Sequence, residues 1–250
     1  MIEIKGLCKR FGEQLVLNGV DFDVREGETV ALLGPSGCGK SVLLKHINGL
    51  IRPDAGEVLV DGLEVTRLTR KELTALRTRI GYVFQNGALF DSMNTFENIR
   101  LGLSDESQYK DQAYCEARVA ECLRLVNLTQ DTALKYPAQL SGGMRKRVGI
   151  ARAIADQPKY LLYDEPTSGL DPVNADIIDE LVKRLDNELG VTSVMVTHDV
   201  RGAFRVANRL ALLTGGRVLL QGTQQDFLES DDPSVREFLE RDFDNRPLAA

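Results

Sequence analysis

The sequence predicts an α/β protein in which a parallel sheet alternates with helices and is interrupted near its middle by a helical insertion. Three observations predict it. Apolar strand-like runs recur between helical patterns, as where Lys159-Tyr160-Leu161-Leu162-Tyr163-Asp164 precedes the stripe Ile178, Leu181, Val182, Leu185 and Leu189, and such alternation builds parallel βαβ units. Residues 95–157 read mainly as helix, with Val119, Cys122, Leu123 and Val126 at i, i+3, i+4 and i+7. Finally, Glu28-Thr29-Val30-Ala31-Leu32-Leu33 runs as a strand into a glycine-rich loop, which opens onto the helical pattern Val42-Leu43-Leu44-Lys45-His46-Ile47-Asn48 stopped at Gly49.

The other elements follow in order. Leu15-Val16-Leu17-Asn18-Gly19 and the period-2 run Val20-Asp21-Phe22-Asp23-Val24 read as antiparallel strands punctuated by Gly19. Arg52-Pro53-Asp54-Ala55-Gly56 turns the chain into a strand at Glu57-Val58-Leu59-Val60. Arg79-Ile80-Gly81-Tyr82-Val83-Phe84-Gln85 is a buried strand ending on a polar residue, and polar residues 104–112 form a surface loop or a frayed helix start. A helix is expected from Met144 to Ala155, and another from Pro172, a residue suited to a first helical turn. Val191-Thr192-Ser193-Val194-Met195-Val196-Thr197 is the next strand, and Gly215-Gly216 joins two more in a hairpin. Between residues 226 and 250, Phe227, Leu228, Val235, Phe238, Leu239 and Phe243 would form a helical stripe, buried on this domain or on a second subunit.

Bulk properties bound the function. A chain of 250 residues can bury one core, or one core with a smaller lobe. A net charge of −6 supplies no broad basic field for nucleic acid. Cys8, Cys38, Cys115 and Cys122 show neither metal-ligand spacing nor disulfide density, which fits a reducing cytoplasm. The N-terminus has no signal-like apolar core, and no run approaches the ~18 apolar residues of a membrane span. Action at a membrane would need another chain as anchor.

The chemistry starts in the loop Gly34-Pro35-Ser36-Gly37-Cys38-Gly39-Lys40-Ser41, whose spacing is G-x-x-x-x-G-K-[ST]. Glycines let backbone N–H groups close around phosphate oxygens; Lys40 supplies a charge for the β- and γ-phosphates, and the Ser41 hydroxyl completes a Mg²⁺ shell. The helix that follows adds its dipole. Asp164 and Glu165 end a hydrophobic strand, with Pro166 turning the chain. Asp164 is placed to hold Mg²⁺ through water, and Glu165 to polarise a water for attack on the γ-phosphate. Leu140-Ser141-Gly142-Gly143-Met144, at the mouth of a helix, is a second phosphate cradle.

This set and order of motifs, over about residues 1–225, resembles the ATP-binding cassette (ABC) ATPases. The resemblance implies a P-loop NTPase (RecA-like) core at 1–85 and 158–225, an antiparallel β subdomain and an inserted α-helical subdomain at 86–157; the tail at 226–250 lies beyond it and is a candidate dimer contact through its own apolar stripe. It makes Phe11 the aromatic that stacks on adenine, and Gln85 the hinge glutamine that contacts Mg²⁺ and the attacking water. Ser168-Gly169-Leu170-Asp171 becomes the loop crossing the dimer interface, though relatives more often have Ala at Gly169. His198 becomes the switch histidine on the γ-phosphate, while His46, on the first helix, is expected to have a structural or surface role. Met144 stands where many relatives have Gln. Two copies would pair head to tail, each ATP lying between residues 34–41 of one and 141–144 of the other.

Leu89, Phe90, Met93 and Phe96 cluster where the family faces its permease, and the form "GALFDSMNTFEN" is similar to the ATPases of Mla/MCE-type systems that move phospholipids between bacterial membranes. That branch implies an integral membrane permease, an MCE-domain lipid-binding protein and a small STAS-type regulator as partners, with the chain on the cytoplasmic face of the inner membrane. A cassette for another substrate, or a non-transport cassette such as one of Fe–S assembly, is the alternative. Arg145-Lys146-Arg147 follows on the helix and reads first as a solvated basic face, with help to the anionic site or contact with the permease as the alternatives.

Overall fold

A computed structural model describes residues 1–244, with side chains as far as Glu240. In chain order the elements are β1 (Ile2–Phe11), β2 (Gln14–Val24), β3 (Thr29–Leu33), α1 (Lys40–Ile47), β4 (Ala55–Val60), β5 (Leu63–Glu64), α2 (Arg70–Arg77), β6 (Ile80–Val83), α3 (Thr95–Arg100), α4 (Glu106–Lys110), α5 (Gln112–Leu125), α6 (Gly142–Ile154), β7 (Tyr160–Asp164), α7 (Pro172–Leu189), β8 (Thr192–Val196), α8 (Val200–Val206), β9 (Arg209–Thr214), β10 (Arg217–Gly222), α9 (Gln224–Leu228) and α10 (Pro233–Asp244). They gather into two compact units, one of Met1–Leu73 with Thr192–Ala250 and one of Thr74–Val191. These limits differ from the 86 and 157 expected for the helical segment: β6, β7 and α7 group with the helices.

In the first unit, β2, β1, β4 and β5 form an antiparallel sheet, while β3 pairs in parallel with β8 and β9, and β10 closes antiparallel on β9. Every residue of β3 is buried, as its continuous apolar run requires of a strand flanked on both sides. The two strands expected around Gly19 are one. Gly19 takes φ +70, its N–H donates to Cys8 Sγ at 3.2 Å, and register shifts against β1 at Ile4/Leu7 and Leu7/Lys9 absorb the irregularity as a bulge. The hairpin at Gly215-Gly216 is present. Of the tail stripe, Phe227, Val235 and Leu239 are buried, Leu228 is exposed, and Phe243 lies outside the described side chains.

In the second unit, β6 and β7 pair in parallel from Ile80↔Tyr160 to Val83↔Tyr163, and α3, α5 and α6 pack together. The α5 stripe is buried as patterned; burial pushes the Cys122 thiol up to about 11, so it packs as a small hydrophobe. Buried Arg118 of α5 donates to Ala155 O (2.9 Å) and Ile154 O (2.7 Å), satisfying carbonyls at the end of α6. Within 104–112 the helix start is the outcome: Asp105 caps α4 by accepting from Ser107 and Gln108 N–H. Asp171 caps α7, with Pro172 at its first turn and Gly190 closing it at φ +60. Leu189, in that last turn, is partly exposed and falls outside the buried stripe. Among the described residues no helix is long and apolar enough to cross a membrane.

Candidate functional site

The glycine loop leaves β3 at Gly34, where a Cβ would stand 2.2 Å from Leu213 O of β9. Only glycine fits so close a backbone approach. Gly39, at φ +110, is the N-cap of α1 and gives that helix no side-chain cap. The first-turn N–H groups thus meet no capping side chain at the positive end of the dipole, the arrangement that receives anions. Lys40 is buried, and its Nζ donates to Gly34 O at 2.7 Å and Pro35 O at 3.1 Å, so the ammonium lies over the loop. Phe11, at the end of β1, is 46% exposed, with Lys9 Nζ 5.4 Å from its ring; it is no core residue. His198 is exposed, between the end of β8 and Asp199, which caps α8 by accepting from Arg201 and Gly202 N–H. His46 is buried in α1 and bonds Val42 O through Nδ1 at 2.7 Å, so Nδ1 carries the proton. Burial holds its pKa below the ordinary value, and its role is structural, as expected.

The second unit carries the carboxylates. β7 is buried throughout and ends on Asp164. Tyr82 of β6 donates its hydroxyl to Asp164 Oδ2 at 3.0 Å; burial and that carboxylate together raise the phenol's pKa, so it stays a donor. Glu165 follows at φ +48, left-handed for a non-glycine residue. Gln85 Nε2 donates to Glu165 Oε2 at 3.3 Å and to Ser168 Oγ at 3.2 Å. Hinge amide, second carboxylate and Ser168 are therefore in one cluster. Gly169 takes φ +77, a conformation that strains L residues, so this backbone calls for glycine where relatives more often have Ala.

Ser141 is the N-cap of α6, its Oγ accepting from Met144 N–H at 3.2 Å. Gly142 and Gly143 form the first turn, and a Cβ on Gly143 would stand 3.3 Å from Asn174 Oδ1. The basic run after it departs from expectation. Arg145 is exposed and Arg147 half-buried, but Lys146 is buried, and its Nζ donates to Gln85 O and, at 3.4 Å, to Glu165 O. The face is not simply solvated, because 146 lies on the inner side of α6. Leu89, Phe90, Met93 and Phe96 are all at least partly accessible, Phe90 being 55% exposed, so none is a fully buried core residue of the helical part. Tyr82 touches Asp164 without having been singled out in the sequence, and Lys146 was met there only as one of a basic triplet, for which a solvated face is the ordinary reading.

A strand, a glycine loop and an uncapped helix in the first unit, and a buried strand running into Asp164 and Glu165 in the second, are the parts of a P-loop nucleotide-hydrolysing α/β protein. The serine-capped Ser-Gly-Gly turn narrows the class. Residues 17–168 match the model of the ABC transporter family, and the chain belongs to that family, as an ATP-binding, ATP-hydrolysing cassette. It is 42% identical over 238 residues to the probable ribonucleotide transport ATP-binding protein mkl of Mycobacterium leprae, covering 95% of this chain and 68% of that protein. It is 45% identical over 224 residues to the methionine import ATP-binding protein MetN of Carboxydothermus hydrogenoformans, covering 89% and 66%. It thus spans about two thirds of the length of these two relatives. With the intermembrane phospholipid transport system ATP-binding protein MlaF of Haemophilus influenzae it shares 36% identity over 244 residues, covering 98% and 92%. Among solved structures, the dimeric post-hydrolysis state of the cassette MJ0796 bound to ADP and Pi superimposes with a TM-score of 0.80 at 37% identity, covering 89% of this chain and 98% of that one.

Proposed function

We propose that the chain powers phospholipid transport between bacterial membranes through a separate integral membrane permease, working as a head-to-tail pair with a second copy of itself. The observation that carries the paired site is the presence of two different anion-receiving helix starts, one uncapped behind the glycine loop and one capped by Ser141. In this reading, ATP bound to residues 34–41 of one copy, with Phe11 on the adenine, meets Ser141, Gly142 and Gly143 of the other. Glu165 takes the proton of the attacking water, Gln85 orients that water, and His198 contacts the γ-phosphate. ATP favours the closed pair because only that state offers both sets of contacts, and hydrolysis removes the preference.

Ser41, Gln85 and Asp164 offer hard oxygen donors, which suit Mg²⁺, an ion that keeps several waters and leans on substrate phosphates. When bound it neutralises charge on the β- and γ-phosphate oxygens.

Support for lipid as cargo comes from the segment 87–98, with its accessible Leu89, Phe90, Met93 and Phe96 for a permease, and from the relative named for phospholipid transport. An MCE-domain protein and a STAS-type regulator complete this assembly at the cytoplasmic face of the inner membrane. A second reading, import of a small polar solute, is favoured by the relative named for methionine. Two measurements test the proposal. Glu165→Gln is expected to retain ATP binding and lose turnover by about 10³-fold; turnover near the parent's overturns the role of Glu165. The complex purified in detergent with its permease is expected to move a fluorescent phospholipid between vesicles with ATP, whereas turnover stimulated by methionine and indifferent to phospholipid overturns lipid as cargo.

A further inference from the structure

Helix α6 presents Lys146, Gly149 and Arg152 at i, i+3 and i+6, one face, and all three bear on the main chain of residues 85–88. Lys146 Nζ donates to Gln85 O. Gly149 admits the backbone of the loop so closely that a Cβ there would stand 3.0 Å from Gly87 Cα. Arg152 donates through Nη2 to Gly87 O at 2.7 Å and through Nη1 to Ala88 O at 2.6 Å. Lys146 alone reaches further, to Glu165 O at 3.4 Å. Beyond those two carbonyls the side chains of the same residues meet again, Gln85 Nε2 on Glu165 Oε2 at 3.3 Å. The result is a closed ring that runs from ammonium to the carbonyl of 85, to its amide, to the carboxylate of 165, to the carbonyl of 165, and back.

Two physical facts make the ring more than packing. Glu165 holds φ +48, which a non-glycine residue keeps only where its surroundings impose it. Its carbonyl accepts from both Lys146 Nζ and Ser168 N–H (3.2 Å), donors from two separate segments. A buried ammonium is also costly unless its donors are used. Here they are used on two main-chain carbonyls, those of Gln85 and Glu165.

We propose that Lys146 is a positioning residue of ATP hydrolysis: from α6 it holds the carbonyls of Gln85 and Glu165 and so sets the Gln85 amide against the Glu165 carboxylate. A helix whose first turn receives ATP from the partner copy is thereby tied to the main chain of the two residues that handle the attacking water. This rests on the assignment of hydrolytic roles to Gln85 and Glu165 above.

The test is a double-mutant cycle on the full chain, measuring kcat and KM for ATP with Mg²⁺ in the parent, Lys146→Met, Gln85→Ala and the double variant. Lys146→Met is expected to lower kcat by roughly 10- to 100-fold with KM within about two-fold, and to cost less than about three-fold once Gln85 is alanine. Lys146→Gln, which keeps an N–H donor of similar reach, is expected to recover a large part of kcat. Equal fold-losses in both backgrounds make Lys146 a purely structural residue and overturn the proposal, as does a Lys146→Met chain with parental kcat. Should Lys146→Met not fold, the cycle is run with Lys146→Gln, whose smaller loss must again depend on Gln85. Failure of the underlying assignment is separate, since it shows as parental turnover in Glu165→Gln.

Discussion

Helices α1 and α6 both begin at glycine-rich turns suited to anions, yet they are held in opposite ways. α1 starts at Gly39 with no side-chain cap, and its approach depends on Gly34 lying against Leu213 O. α6 is capped by its own Ser141 and tied along its length by Lys146, Gly149, Arg152 and, at its far end, Arg118. The first is a site whose geometry is borrowed from β9, a strand far along the chain, and whose helix has no side-chain cap of its own. The second is locally complete before any ligand arrives. A cradle for a resident nucleotide can be unfinished alone; a surface that must meet a nucleotide held by another copy has to keep its shape unaided.

That contrast can be broken most severely at Gly34. Gly34→Ala places a Cβ 2.2 Å from Leu213 O and is expected to weaken ATP binding by at least about 100-fold, measured with a fluorescent nucleotide; affinity within two-fold of the parent would refute the dependence on β9. Ser141→Ala should behave otherwise. The loss of the cap costs about 1 kcal/mol of stability, read as a lower urea midpoint. Turnover falls by roughly 10-fold while ATP binding to a single chain is unchanged; a matching loss of binding would erase the distinction between the two helix starts. The smallest effect concerns what supports α1. The folded-state pKa of His46 is lowered by burial below 6.5, so the unfolded chain binds the proton more readily. Stability is therefore undiminished above pH 6.5 and declines as pH falls from there toward the lowered folded value. His46→Gln should flatten that part of the thermal-unfolding profile, and an unchanged slope would remove His46 from the account.

How much of this was legible depends on how local each signal is. The 34–41 loop, the strand before it and the helix after it are contiguous, so residue types and spacing describe them completely. The same holds for the start of α7 at Pro172. The bulge at Gly19 was not legible, since a glycine in a strand pattern marks either a turn or a bulge, and only the register with β1 decides. Lys146 was not separated from the basic triplet around it, and Tyr82 was missed, for a related reason. Their partners, Gln85 with Glu165 and Asp164, are distant in sequence, and no short-range pattern separates a buried lysine from the exposed arginine beside it. The exposed ring of Phe11 and the accessible side chains of 89–96 lay in between, because a family resemblance points to such positions while burial is settled only by the fold.

The pairing of β3 has a consequence for the order in which the molecule is made. Thr29 aligns with Ser193 and Val30 with Arg209, so the strand that delivers the glycine loop cannot find either neighbour until nearly the whole chain has left the ribosome. The unit of Thr74–Val191 is one continuous stretch of chain, and domains generally fold as units during synthesis. On that rule α6 is expected to be in place before the glycine loop is, since the loop's strand needs residues 192–214 for both of its parallel neighbours.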